Sequence, residues 1–217
     1  EASAGEFAPE ASAASLSATM ADGTNCPGFC MLVDREAELL FDVRVQTIMR
    51  TARTAEKSIR VLGPKERVRL VCGLREVVLK KRAQIMDRIQ ADTKKARMDA
   101  LCSEIFPLLD HLDFLEKKAA CMLAPQKVPT PLAMMGKSSQ VHYGPVGTVL
   151  VISPWNYPFY QAMVPITTAI VCGNAVVYKP SEATPLTGLV EEVLSEAGIP
   201  SEWAQVVYGD GQVGQRL

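Results

Sequence analysis

Residues 138–178 read SSQVHYGPVGTVLVISPWNYPFYQAMVPITTAIVCGNAVVY and run into Lys179-Pro180-Ser181-Glu182. No Asp, Glu, Lys or Arg falls in the first of these stretches. A segment this long without charge belongs in a protein core or a membrane. Gly144, Pro145, Gly147, Pro154, Pro158, Pro165 and Gly173 divide it into pieces too short to span a bilayer as one helix, so no membrane span is expected. The remaining reading is a strand, a loop, a helix and a second strand in an α/β core.

Working outward, Thr148 to Ile152 is a wholly apolar, β-rich run of the kind found in strands covered on both faces. Pro158 is suited to the first turn of a helix, where its missing N–H costs nothing. Pro165 falls inside that helix and should kink it. Gly173-Asn174 ends it, and Ala175 to Tyr178 form the second strand. Thr184-Pro185 reads as an N-cap and first helical position, opening a helix over residues 186–197 that Gly198 and Pro200 close. Ala204 to Tyr208 give a third strand, followed by Gly209-Asp210-Gly211. Short strand–helix–strand connections make the sheet parallel, and its loops then emerge on one edge. Ligands bind along the carboxyl edge of such a sheet, which puts Asn156, Lys179, Glu182 and Gly211 on one rim.

Before this core, residues 35–62 and 64–98 read as long amphipathic helices separated by Gly63-Pro64, and residues 100–121 as a third. Their apolar stripes are core-facing. The charged clusters, Lys80-Lys81-Arg82 and Lys94-Lys95 among them, read as solvated helix faces. Residues 124–136 are Pro-rich and should form an extended connector, and residues 137–144 alternate like a strand outside the main sheet. Residues 1–33 read as an Ala/Ser-rich, acidic, disordered leader without the arginines of a transit peptide or the apolar run of a secretory signal. A formal charge of −1 gives no electrostatic case for nucleic acid. Of the six cysteines, only Cys26 and Cys30 are close. With His111 and His142 as the only histidines, a metal site is not expected. A local disulfide there stays open, while the scattered Cys72, Cys102, Cys121 and Cys172 fit buried thiols in a reducing compartment, a cytoplasm or organelle matrix.

Three motifs in order, Pro154-Trp155-Asn156-Tyr157-Pro158, Gly173-Asn174-Ala175-Val176-Val177 and Lys179-Pro180-Ser181-Glu182 with Thr184-Pro185-Leu186-Thr187, resemble those of the aldehyde dehydrogenase superfamily. The resemblance is best from Val141 to the end and extends more loosely back to Arg35. It implies N-terminal helices followed by a parallel, Rossmann-like sheet with helices on both faces, here incomplete. Residues 34–217 would be the N-terminal part of a cofactor-binding domain, and residues 137–144 part of a projecting hairpin that joins subunits into a homo-oligomer.

The implied chemistry is oxidation of a small-molecule aldehyde to a carboxylic acid through a covalent cysteine thiohemiacetal, with NAD as acceptor and NADP also admitted. Asn156 matches the family's oxyanion asparagine. On its own it reads as a loop asparagine bonding its own backbone, and the flanking motif favours the oxyanion donor. Lys179 and Glu182 match the residues at the adenosine ribose, with Ser181 beside them; a surface ion pair is the plainer alternative. A carboxylate there opposes a 2′-phosphate. Ile152, Ser153, Pro154 and Trp155 would line the cofactor channel, although Trp155 also reads as a packing aromatic, and Gly211 would pass near adenine. No Gly-x-Gly-x-x-Gly fingerprint is present, and the family binds its cofactor without one. The family's nucleophilic cysteine and general-base glutamate lie downstream of the Lys-Pro-Ser-Glu motif, and none of the six cysteines here has their context. The segment by itself is therefore expected to be inactive. A non-catalytic binding or scaffold subunit is the alternative.

Overall fold

The computed structural model describes residues 27–217, with side chains from residue 42 onward. Of the leader expected to be disordered over residues 1–33, the part before Pro27 lies outside the described residues, as does the Cys26–Cys30 pairing, while residues 27–33 are helical. The chain divides into two units, Glu1–Leu40 and Phe41–Leu217, and the sheet belongs to the second.

Helices α1 (Pro27–Val61), α2 (Pro64–Cys72) and α3 (Leu74–Thr93) come first. The first begins earlier than the Arg35 start read from the sequence. The helix expected over residues 64–98 is broken at Gly73, whose N–H bonds to the Leu70 carbonyl at 3.1 Å in a tight turn. It ends at Lys94, which adopts a left-handed φ of 62°. The next helical stretch is α4 (Arg97–Ala100), a π-helical turn Leu101–Ile105, α5 (Phe106–Phe114), a second π turn Leu115–Ala119 and α6 (Ala120–Met122). Leu108, Leu112, Leu115 and Ala119 are buried along it, as the apolar stripe requires.

Strands β1 (Gln126–Val128) and β2 (Ser139–Val141) form an antiparallel pair, with a single 3-10 turn at Leu132–Met134 between them. The strand expected outside the main sheet is present. Its partner lies in what reads as a plain connector, because three residues among prolines carry no alternation to detect.

The main sheet comprises β3 (Thr148–Ile152), β4 (Ala175–Lys179) and β5 (Ala204–Val206), parallel and in that spatial order. Between them run α7 (Pro158–Val171) and α8 (Leu189–Glu196), and α9 (Gly211–Arg216) follows β5. Only the central strand is covered on both faces: Ala175 to Lys179 are all buried. β3 is not, contrary to its apolar composition. Paired on one side only, it packs Val149 and Val151 on the core and leaves Leu150 and Ile152 exposed, with the two-residue period of a half-covered strand.

Helix α7 explains two of the motifs. Pro158 occupies its first turn. Pro165 lies inside it without ending it. The N–H that Pro165 lacks would have bonded the Gln161 carbonyl, and that carbonyl instead accepts the Ser153 hydroxyl at 3.0 Å. At the other end the N–H groups of Gly173 and Asn174 bond back to Ile170 and Ala169 in a Schellman closure. The buried Asn174 then accepts the Val146 and Gly147 N–H groups on Oδ1 at 2.7 and 2.9 Å, fixing the entry to β3. Gly173 sits at φ 92°, and a Cβ there would meet Arg67 and Pro145 at 3.3 Å. Gly173→Ala is expected to destabilise the protein by about 1–2 kcal/mol from the left-handed backbone alone, with crowding added. A urea-melt midpoint no lower than that of the parent would contradict this closure.

Helix α8 starts later than the sequence suggests. Leu186 (φ 44°) and Gly188 (φ 77°) turn the chain left-handed ahead of it, so Thr184-Pro185 does not open a helix. The Leu186 N–H bonds Asp92 Oδ2 at 2.9 Å instead. Lys81 on α3 pairs with Glu192 and Glu196 on α8 and is largely buried, unlike the solvated face expected for its cluster.

Candidate active site on the carboxyl edge of the sheet

The register of the sheet sets the site. Ile152 lies opposite Lys179 across β3 and β4, and the Ser153 N–H bonds the Lys179 carbonyl at 3.0 Å. The loop carrying Trp155 and Asn156 and the loop carrying Ser181 and Glu182 therefore leave the sheet side by side. Thr184 joins them: it is buried, and its hydroxyl donates to the Trp155 carbonyl at 2.9 Å. An N-cap in the sequence thus serves as a tie between two loops.

Ser153 is buried and its hydroxyl is committed to Gln161. Beside it, burial pushes the Tyr178 phenol up to about 12, against the opposing effect of the Ser153 hydroxyl. Ile152, Pro154 and Trp155 are exposed along the edge. The Asn156 Oδ1 is buried and has no hydrogen-bond partner. No hydrogen bond to that oxygen fixes the amide, whereas the backbone carbonyl of the same residue has a partner.

That backbone is held by two residues the sequence reading missed. Lys95 Nζ donates to the Asn156 carbonyl, stands 4.1 Å from the Tyr157 ring centroid and pairs with Glu104 at 3.0 Å. Glu104 is fully buried in the π turn before α5, and its Oε2 accepts the Phe159 and Tyr160 N–H groups at 2.8 and 3.3 Å. These are two of the free donors of the first turn of α7. A signal was available: Glu104 falls three residues after Leu101 and four before Leu108, on the stripe that is otherwise apolar. Lys95 gave none, and the solvated face expected for Lys94-Lys95 holds for exposed Lys94 only.

Across the tie, Lys179 is only 3% exposed. Its Nζ donates to the Pro180 carbonyl at 3.1 Å and stands 3.5 Å from Glu182 Oε2. The Glu182 side chain is 61% exposed. Helix α9 packs over the lysine stem: a Cβ on Gly214 would lie 3.4 Å from Lys179 Cδ, at van der Waals contact. The Ser181 hydroxyl accepts the Ala183 N–H at 3.3 Å. Gly211 is exposed, with open space where a side chain would be.

The burial expected of the scattered thiols does not hold: Cys102 and Cys121 are exposed, and Cys72 and Cys172, which lie away from the Asn156 loop, are half-buried. Burial pushes the Cys172 thiol up, with Arg67 opposing, and Cys172 sits just past the far end of α7. That helix is about 20 Å long at 1.5 Å per residue, which separates the thiol from the Asn156 loop. Burial likewise raises Cys72, which lies at the end of α2.

The arrangement offers a side-chain amide on a braced loop and an ammonium–carboxylate pair beside it. Comparison with known proteins gives the family of the chain. The sequence profile described as "Aldehyde dehydrogenase family" matches residues 39–217. The chain is 36% identical over 175 residues to "4,4'-diapolycopene aldehyde oxidase" of Methylomonas sp, covering 80% of this chain and 33% of that protein. It is 35% identical over 170 residues to "Putative succinate-semialdehyde dehydrogenase [NADP(+)] 2" of Mycobacterium ulcerans (strain Agy99), covering 78% and 32%. Among solved structures, Staphylococcus aureus AldH in a substrate-bound state superposes with a TM-score of 0.72 at 23% identity, over 79% of this chain and 37% of that one, a likeness of fold. The chain thus spans about a third of the length of the curated relatives it matches. With the profile running from within α1 to Leu217, the chain belongs to the aldehyde dehydrogenase family.

Proposed function

We propose that this chain carries the oxyanion donor and the cofactor-ribose pair of an aldehyde oxidation dependent on a nicotinamide cofactor, with the attacking cysteine supplied from outside this segment. The observation that carries the reading is the register of Ile152 on Lys179, which brings the Asn156 loop and the Lys179–Glu182 turn to the same edge. The donor set suits a ribose: the exposed Glu182 carboxylate accepts from hydroxyls, and the Lys179 ammonium donates. Ile152, Ser153, Pro154 and Trp155 would flank the cofactor, Ser181 would lie by the ribose and Gly211 by the adenine. A bound nicotinamide supplies the hydride acceptor. This chain's part is to hold that group and to donate the Asn156 amide N–H to the aldehyde oxygen as it gains charge.

NAD is the preferred cofactor because the Glu182 carboxylate repels a 2′-phosphate. NADP is the second reading, favoured by the name of the Mycobacterium ulcerans relative and by the exposure of Glu182, which leaves its side chain free to turn away. The test is aldehyde-dependent NADH formation by the full-length protein. Turnover supports the reading; NAD binding without turnover on any aldehyde would favour the non-catalytic subunit.

The β1–β2 hairpin is the proposed contact between subunits of a homo-oligomer. Among the described residues no helix is long and apolar enough to cross a membrane. Val128 and Val141 are both exposed on the hairpin. Val141→Lys is expected to lower the particle mass of the full-length protein in light scattering, and an unchanged mass would remove the hairpin from the interface.

A further inference from the structure

We propose that Lys95 and Glu104 are positioning residues for Asn156, setting the direction of its amide through the backbone. The inference rests on the oxyanion role of Asn156 argued above. Five contacts converge on residues 155–160. Thr184 bonds the Trp155 carbonyl, Lys95 bonds the Asn156 carbonyl and covers the Tyr157 ring, and Glu104 takes the Phe159 and Tyr160 N–H groups. Asn156 Oδ1 has no partner to orient the amide from its own side.

A carboxylate with no exposed surface is costly unless paired and hydrogen-bonded, and Glu104 is both. Its place at the first turn of α7 also suits the positive end of the helix. Capping alone would not require the lysine to reach past the carboxylate. Lys95 does reach past it, to the carbonyl of the one residue whose side chain is proposed to act on substrate. The pair therefore couples the rigid helix start to the amide loop: Glu104 fixes where α7 begins, and Lys95 fixes the peptide two residues before it. A small displacement of that peptide swings the amide away from the developing oxyanion, and such misplacement is expensive in rate.

The test is a double-mutant cycle in the full-length enzyme. Lys95→Met is expected to lower kcat on the order of tenfold, below the roughly 100-fold that a misplacement of about 1 Å can cost, with the NAD dissociation constant unchanged. Lys95→Arg keeps the charge beside Glu104 and should lose less. In an Asn156→Ala background neither substitution should lower kcat further, because the amide they orient is gone. An equal loss in both backgrounds would make the pair merely structural and overturn the inference. If Lys95→Met does not fold, Lys95→Arg is read by the same comparison. Should Asn156→Ala itself leave kcat intact, the oxyanion reading fails first and this inference falls with it.

Discussion

In the full-length protein Asn156→Ala is expected to lower kcat about 100–1000-fold, on the order of 3–4 kcal/mol, while the affinity for NAD stays within a factor of about two. The size follows from what the amide would do. An oriented N–H dipole stabilises charge that appears on the aldehyde oxygen only as the reaction proceeds, so its loss is felt in the transition state and little in the ground state. Asn156 suits this task because its loop is braced on both sides, by Thr184 at Trp155 and by Lys95 and Glu104 at residues 156–160. The donor therefore needs no rearrangement when charge develops. Kinetics with saturating NAD, alongside a cofactor titration, separate the two quantities. An unchanged kcat with weakened NAD binding would move Asn156 from the substrate to the cofactor.

Glu182→Gln is expected to weaken NAD and to shift the NAD-to-NADP affinity ratio toward NADP. The substitution keeps the shape and removes the charge. Hydrogen bonds to a charged group are worth about 1.5–3 kcal/mol net, so the loss for NAD is roughly ten- to hundredfold at most. Lys179 makes the change asymmetric. It is nearly enclosed under α9 and stands 3.5 Å from the carboxylate it would share the ribose with. Removing the carboxylate charge would leave a cation at the proposed ribose edge, where it would attract a 2′-phosphate. Titrating both cofactors into parent and variant reads the ratio. A ratio that does not move would return Lys179 and Glu182 to the status of a surface ion pair.

Much of the fold was legible because it is encoded locally. The β3 run, the start of α7 at Pro158 and its end at Gly173-Asn174 each rest on residues within a few positions of one another, and they stand where the sequence puts them. The parallel orientation follows from the short strand–helix–strand connections. What escaped depends on partners far along the chain. Thr184 has the chemistry of an N-cap, and only the neighbouring loop shows that its hydroxyl is taken by Trp155. Ser153 looks like a channel residue, yet it satisfies the carbonyl that Pro165 orphans. Glu104 and Lys95 meet the Asn156 loop from more than fifty residues away, a distance over which spacing carries no information. The exposed side of β3 was hidden because apolar composition alone does not say how many neighbours a strand has. Pro154, Trp155, Asn156, Lys179, Ser181 and Glu182 were nameable from the motifs, and Ile152, Ser153 and Gly211 from their places at the ends of strands. Their bracing was not.

The central claim is that one edge of this sheet carries both the cofactor ribose and the oxyanion donor. A crystal structure of the full-length protein with NAD bound tests it most directly. The predicted result is the Glu182 carboxylate within about 2.6–3.2 Å of the adenosine ribose hydroxyls, with the Asn156 amide facing the nicotinamide end of the same molecule. NAD seated away from the ends of β3 and β4, with Glu182 in solvent, would contradict the account.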